Sequence, residues 1–444
     1  MTDDSRTAQT PTDDGRTDGR GRWYRGNLHT HTRWSDGRAF PEESVSWYRN
    51  HGYHFLGLSD HNTFQGNPSR WVAETGIEGY FADYLAAFPN AEVRVTSDGV
   101  REARLRTFRE LAEQFDKPGS FLLVAASEAT RSVDFSDGRR HEVHMNYVNV
   151  PAILPSIAAP DFQRIGRDIP LEDFIASHAA ETAALAKDSG TRPIFMLDHP
   201  IWPWYDISPE VLANCPSVRF FEVCNNGGLF PPSEELPGDG LDTDRFWDVV
   251  NAFRARRGQP LLYGIGGDDT HVYRGEPHNG MLMPGNAWTL VRATSLTVDA
   301  LVEAMAAGDF AACEGIEPED VDFDPATGTL SVSVAAKPGA ARTVRFIVSK
   351  RDFDERPVRT FVARPRGKEG EPRFERRFSV YDERVGMVAK TVAGAVGEPV
   401  RATYTLADDD LYVRARIEEP GQPLCTTFLH PQNLFVAWTQ PYRK

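Results

Sequence analysis

What this 444-residue chain lacks narrows its class first. It has four cysteines, Cys215, Cys224, Cys313 and Cys425, widely spaced and without a Cys-x-x-Cys pair. That excludes a disulfide framework and a zinc ribbon, and points to buried thiols in a reducing compartment. No window approaches the roughly 18 consecutive apolar residues of a membrane span. Residues 1–21, MTDDSRTAQTPTDDGRTDGRG, have no apolar core of a secretory signal, so a disordered tail is expected there and the cytoplasm is the default location. Positive charge is scarce: 49 Lys and Arg against 64 Asp and Glu leave a formal net charge of −15. That argues against bulk nucleic-acid binding, because a phosphate backbone is held mainly by Lys and Arg, and leaves room for a local basic pocket. There is also no G-x-S-x-G stretch and no evident Ser-His-Asp arrangement, so a serine nucleophile is not indicated. With 40% hydrophobic and 25% charged residues, the chain fits a soluble globular protein with one large core and a smaller second one.

From Trp23 to about residue 315, short apolar runs alternate with helical stretches, and each run ends in polar, ligand-type residues. The runs are WYRGNLH (23–29), FLGLS (55–59), FLLVAAS (121–127), VHMNYVNV (143–150), PIFML (193–197), VRFFEV (218–223) and LLYGIGG (261–267). Between them, PEESVSWYRNHG places Pro41 near a helix start and Gly52 past its end. In REARLRTFRELAEQF, residues Leu105, Phe108, Leu111 and Phe115 share one helical face. Strands alternating with helices imply a parallel sheet with right-handed crossovers, and about seven such units imply a closed or nearly closed β/α barrel. The barrel is expected over 22–315, followed by an acidic linker at 316–328. Beyond the linker the period becomes 2: Leu330, Val332 and Val334, then Val344, Phe346 and Val348, then Leu411, Val413, Ala415 and Ile417 alternate with polar neighbours. Residues 329–444 therefore predict a small all-β, sandwich-like domain, placed to narrow access to the barrel or to form a homo-oligomer through an edge strand.

In GNLHTHTRWSDG (26–37), His29 and His31 are at strand positions i and i+2, so both imidazoles aim at one point and Thr30 faces away. A metal ion is the usual reason for that pattern. GGDDTH repeats it with Asp269 and His271. In β/α barrels functional groups gather at the C-terminal ends of strands. Here those ends carry, in order, His29, His31 and Asp36; Asp60 and His61; Glu128; His144 within the fourth run; Asp198 and His199; Glu222; and Asp269 with His271. Six of the twelve histidines fall in this set, a concentration that strand polarity alone does not produce. Singly, these residues have plainer readings: Asp36 as a turn residue in SDG, His61 with Asp60 and Asn62 as a helix cap, Glu128 as a salt-bridge partner of an arginine. Spacing leaves open whether His144 or His141 points inward, and whether Asp198 or His199 does.

The ordered series HTH…SDG, SDHN, an isolated Glu after a hydrophobic strand, HMN, DHP and a terminal D-x-H resembles the motifs of the PHP (polymerase and histidinol phosphatase) superfamily over about residues 22–315. The opening WYRGNLHTHTRWSDG…WYRNHGYHFLGLSDHN and the ending AWTQPYRK are most similar to its CehA/McbA-type metallohydrolase branch. The resemblance implies a distorted seven-stranded, TIM-like β/α barrel and two or three divalent metal ions. His29, His31, Glu128 and Asp269 would hold the first ion. Glu128 would bridge to a second, completed by His144 and His199, and Asp36, His61 and His271 would hold the third, with Asp36 where some relatives have histidine. Mixed nitrogen and oxygen donors suit Zn²⁺, Mn²⁺ or Fe²⁺ better than Mg²⁺. Two such cations about 3.5–4 Å apart activate a bridging hydroxide and clamp an oxyanion as it forms.

The function this implies is a metal-dependent hydrolase of a phosphoric ester, a small phosphomonoester or a nucleotide; the CehA/McbA likeness implies a carbamate or aryl ester instead. In that scheme Glu128 sets the metal spacing, Asp269 fixes the ion that carries the hydroxide, and Asp60 orients His61. His141 or His278 protonates the leaving group, and Arg33, Arg38 and Arg274 are candidates to receive a phosphate or carboxylate of a small-molecule substrate. Glu222 is assigned to hydrogen bonding. Trp202 and Trp204 would wall the cleft or fill a core, and His51, His54, His178 and His430 are ordinary. An inactive barrel beside a binding module is the reading from another class, and the complete ligand series speaks against it.

Overall fold

The computed structural model describes residues 21–134, 140–158, 169–201, 207–225, 241–274, 283–364, 374–421 and 434–444. The expected tail, apart from Gly21, lies outside these residues, as do Trp202, Trp204, His278, Cys425, His430 and the side chain of His141. All seven apolar runs are strands: β1 (Arg22–Asn27), β2 (Phe55–Leu58), β3 (Leu122–Asp134), β4 (Arg140–Val148), β5 (Ile194–Leu197), β6 (Phe220–Asn225) and β7 (Tyr263–Gly267). They lie side by side in chain order within one sheet. β1–β2, β2–β3, β5–β6 and β6–β7 pair in parallel. β4 runs antiparallel to both β3 and β5, which corrects the all-parallel expectation. The reason is local: only residues 135–139 separate β3 from β4, far fewer than the dozen or so that a parallel crossover needs. Past the ends of β1 and β7 the chain forms a parallel bridge between Thr30 and Thr270. There the His31 N–H donates to the Thr270 carbonyl at 2.9 Å and the Asp269 N–H to the His29 carbonyl at 2.9 Å, which makes the array barrel-like at that end.

Helix Pro41–Asn50 has proline in its first turn and ends just before Gly52, whose φ of +79° favours a residue without Cβ. The second expected helix is shorter than its apolar spacing suggests. Arg101–Arg104 is a strand paired with Trp71–Ala73 and Val93–Val95, and the helix runs from Phe108 to Phe115. Thr107 sets that start: its side chain accepts the Glu110 N–H, and the Glu110 carboxylate accepts the Thr107 N–H in return. Leu111 and Phe115 are buried as the spacing requires, and Leu105 is buried ahead of the helix.

The C-terminal strands continue the same sheet. From β1 it passes through Trp288–Ala293 and Phe310–Glu314 to Leu434–Thr439, Asp410–Pro420, Thr343–Lys350 and Met387–Ala393, thirteen strands in all. Asp320–Asp324, inside the expected linker, is a strand paired with Thr329–Val334. In Thr329–Val334 the alternation is as expected, with Leu330, Val332 and Val334 buried. Asp410–Pro420 departs from simple alternation because both of its faces are covered. Tyr412 and Arg414 are as buried as Val413 and Ala415, and they pack on helix Thr243–Arg256. At the outer edge of β7, the Gln440 side chain takes the place of a strand: it accepts the Gly264 N–H at 2.8 Å and donates to the Gly264 carbonyl at 2.9 Å. Among the described residues no helix is long and apolar enough to cross a membrane.

Candidate metal centre

The chain leaves β1 still extended, so His29 and His31 share one side while the Thr30 hydroxyl turns away and donates to the Gly57 carbonyl at 2.9 Å. Both imidazoles are fully buried. His29 Nε2 lies 3.3 Å from Glu128 Oε2 and 3.2 Å from Asp269 Oδ1, and His31 Nε2 lies 3.2 Å and 3.0 Å from the same two atoms. Ligands bound to one cation at about 2.0–2.2 Å are themselves about 3.0–3.5 Å apart. His29 Nε2, His31 Nε2 and both Glu128 oxygens are buried without a hydrogen-bond partner, which is costly unless something absent from the chain satisfies them.

Glu128 presents its two oxygens to two sides. Oε2 faces His29, His31 and, at 2.9 Å, His61 Nδ1; Oε1 lies 2.7 Å from His144 Nδ1 and 3.8 Å from His199 Nε2. The antiparallel register sets His144 beside it, pairing Thr130 with His144 and Glu128 with Asn146. Because β4 is reversed, its site-facing part precedes its C-terminal end, so His144 lies inside its strand; Glu128, expected after the third run, also lies inside its strand because β3 continues to Asp134, while the other ligand types follow theirs. On the outer side, Asp36 Oδ1 is 3.2 Å from His271 Nε2 and its Oδ2 is 3.6 Å from His61 Nε2. The structure thus brings together all the residues expected as metal ligands: His29, His31, Asp36, His61, Glu128, His144, His199, Asp269 and His271. His61 stands between two groups, facing Glu128 through one nitrogen and Asp36 through the other.

His199 and Asp269 have φ of +27° and +51°, a left-handed backbone uncommon for residues with a Cβ and costing on the order of 1–2 kcal/mol. Strain of this kind collects at functional sites. Charge is also concentrated here. Burial opposes ionisation of Glu128, yet His61, His144 and His29 hold its pKa well below the carboxylate range. Burial likewise opposes protonation of His29, but Glu222, Asp269 and Glu128 raise its pKa well above the usual value. His199 is pushed well down by burial and by His144. Protons on some imidazoles therefore balance the carboxylates when no cation does, and a cation would displace them.

The surroundings correct several expectations. Asp60 does not orient His61: it accepts from the Thr32 N–H (2.7 Å) and hydroxyl (2.9 Å), the Ser35 hydroxyl (2.7 Å) and Gln65 Nε2 (3.0 Å), so it shapes the turn that carries Asp36. Arg274, expected to meet substrate, is occupied by ion pairs with Glu43 and Asp83 and lies over the Tyr80 ring. Its charge is already neutralised. Arg33 is half-buried with Nε unpartnered, and Arg38 is exposed and anchored through its backbone N–H to the His271 carbonyl at 2.8 Å. The doublet Asp268–Asp269 divides its work. Asp268 accepts backbone N–H groups of Gly285, Asn286 and Ala287 and the Tyr48 hydroxyl, while Asp269 faces the histidines. Asp198 is a feature sequence reasoning left undecided. Both its oxygens are buried and unpartnered, and burial raises its pKa well above the carboxylate range. His178 and His54 hydrogen-bond to the Phe174 carbonyl and the Arg25 N–H, and His51 stacks on Trp47.

No family model matches the chain, and no curated protein matches it. Among solved structures it is similar to a two-domain protein containing a predicted PHP-like metal-dependent phosphoesterase from Bacteroides vulgatus, at 14% identity over 95% of this chain and 96% of that one, with a TM-score of 0.38. It is also similar to a protein assigned as a metal-dependent phosphoesterase from Bifidobacterium adolescentis, at 17% identity over 58% of this chain and 90% of that one, TM-score 0.30. A third is an amidohydrolase from Chromobacterium violaceum, solved with bound sulfate and no metal, at 15% identity over 59% and 88% of the two chains, TM-score 0.28. These are loose likenesses.

Proposed function

We propose that this chain is a metal-dependent hydrolase of a phosphoric ester, a small phosphomonoester or a nucleotide, working with two or three divalent ions of zinc, manganese or iron. The observation that carries the reading is the convergence of unpartnered buried donors: His29 and His31 Nε2 within 3.0–3.3 Å of Glu128 Oε2 and Asp269 Oδ1. His29, His31, Asp269 and Glu128 would hold one ion, Glu128 with His144 and His199 a second, and Asp36 with His61 and His271 a third. Ions held there supply Lewis acidity, lowering the pKa of bound water and countering charge that builds on the attacked group. The chain supplies the rest. Glu128 sets the spacing between neighbouring sites, since its two oxygens face different histidines. Arg33 lies between His31 and Asp36, Arg38 follows Asp36 by two residues, and neither has a carboxylate partner among the described residues, so they are the guanidinium groups assigned to the anionic end of the substrate. His141 or His278 is assigned the proton for the leaving alkoxide.

The test is purified protein assayed for metal content and then, with Mn²⁺ or Zn²⁺ added, for turnover of p-nitrophenyl phosphate, bis-p-nitrophenyl phosphate, and 1-naphthyl carbamate and acetate. Preference for the phosphomonoester supports the proposal. Turnover of the carbamate or acetate alone would replace phosphorus by carbonyl carbon as the electrophile, as the CehA/McbA likeness suggests. Absence of stoichiometric metal together with no turnover would remove the hydrolase reading.

A further inference from the structure

Glu222 lies within β6 with its carboxylate buried, and both of its oxygens are engaged. Oε1 lies 2.7 Å from His29 Nδ1. Oε2 accepts the backbone N–H of His199 at 3.1 Å and the side-chain amide of Asn225 at 2.8 Å. With a cation taking the Nε2 lone pair on the side of Glu128 and Asp269, the first bond would hold the remaining His29 proton on Nδ1 and fix the ring's orientation. The second fastens the peptide of His199 where its φ is +27°, a conformation the residue would not keep unaided. A fourth segment makes room for this arrangement. A Cβ on Gly267, in β7, would stand 2.5 Å from Glu222 Oε1 and 3.0 Å from the Cβ of His29. Gly267 has an ordinary φ, so the glycine is required for space and not for its turn.

Resting on the metal-centre reading above, we propose that Glu222 is a positioning residue which sets two histidines at once, the ring of His29 and the backbone of His199, and so ties β6 to the segments that follow β1 and β5, in the space that Gly267 of β7 leaves open. It is distinguished from its buried neighbour Asp198 by this use of its oxygens: those of Asp198 have no partner, and those of Glu222 are spent on donors. All three groups that meet Glu222 are donors in this arrangement, so a glutamine of the same size must turn its own NH₂ toward one of them and lose that bond.

The experiment is a Co²⁺ titration of metal-free protein followed by visible absorption, comparing wild type, E222Q and G267A, with thermal midpoints of the metal-free forms recorded alongside. The expected result is a Co²⁺ affinity weakened about 10- to 100-fold in E222Q, with altered band positions. G267A should give the same change, because the added methyl displaces the carboxylate from the opposite side. A merely structural role would lower the midpoints and leave the affinity and bands of the folded protein as in wild type, and that outcome overturns the proposal. G267A keeps the question open to measurement should E222Q fold poorly. A wild type that takes up no Co²⁺ would sink the metal centre itself, whereas equal uptake by all three proteins would sink only the role of Glu222.

Discussion

At the seam between helix Thr243–Arg256 and strand Asp410–Pro420, the buried Arg414 guanidinium meets Asp248 through bonds of 2.8 and 2.7 Å and Asp244 at 3.0 Å. Arg416 joins Asp244 at 2.9 Å, the Tyr412 hydroxyl donates to Asp248 at 2.7 Å, and Trp438 Nε1 donates to Asp244 at 2.9 Å. In β3 and past the end of β7, by contrast, Glu128 and Asp269 are similarly buried, but the groups around them are imidazoles. The seam carries its own counter-charge and donors. The candidate metal centre has only titratable imidazoles to balance its acids. Burial of charge costs several kcal/mol per ion unless it is paired, so the first arrangement is complete as structure and the second is one that could hold a cation.

Five substitutions would break or sharpen that contrast. The largest effect is expected for Glu128→Gln at the centre: it should lose at least one ion by elemental analysis, with kcat on p-nitrophenyl phosphate down about a thousandfold or more, since Lewis-acid assistance is worth several kcal/mol. Next, Arg414→Leu at the seam leaves Asp248 buried and unpaired, and should cost about 3–5 kcal/mol in urea unfolding with the metal content of the folded protein unchanged. Adding Asp248→Leu should recover much of that loss, as removing a whole buried pair is far milder than removing half of it.

A smaller, pH-dependent effect is expected at Glu314, which burial pushes up to about 8 with Asn286 Nδ2 at 3.3 Å against one oxygen. Its folded-state pKa lies above the unfolded value of about 4.5, so the folded state binds more protons between those limits and stability falls as pH rises through them. Glu314→Gln should flatten that decline, by about a few kcal/mol across the window in thermal or urea unfolding. The smallest effect is expected at Arg274→Ala: its pairs with Glu43 and Asp83 are partly exposed, and their loss should cost no more than about 1 kcal/mol. Turnover should change less than about threefold; a hundredfold loss would return Arg274 to the substrate.

The strands were legible in the chain because each buried run is apolar and ends in punctuation, and all seven runs are strands. The ligand types were legible because donors recur at those ends. What escaped notice depends on contacts between distant segments. The reversal of β4 follows from a short connection whose effect is topological, and apolar periodicity does not register it. The strand Arg101–Arg104 shares its spacing with a helical face and yields to pairing with two neighbours. Asp60 looks like a partner of the adjacent His61, yet its hydrogen bonds go back to Thr32 and Ser35. The alternation of Leu411 to Ile417 predicts one covered face, and the second is covered because a helix of the barrel half supplies acids to Arg414.

By itself the sequence determined which chemical groups are present and in what order, because donor atoms and lone pairs belong to residue types and strand periodicity belongs to local backbone geometry. Only the tertiary structure decided which of those groups meet: His29 and Glu222 are 193 residues apart in the chain and 2.7 Å apart in space. The physical reason is that hydrogen bonds and coordination act over about 2–3 Å, so a site exists only where sheet pairing brings strand ends within that reach.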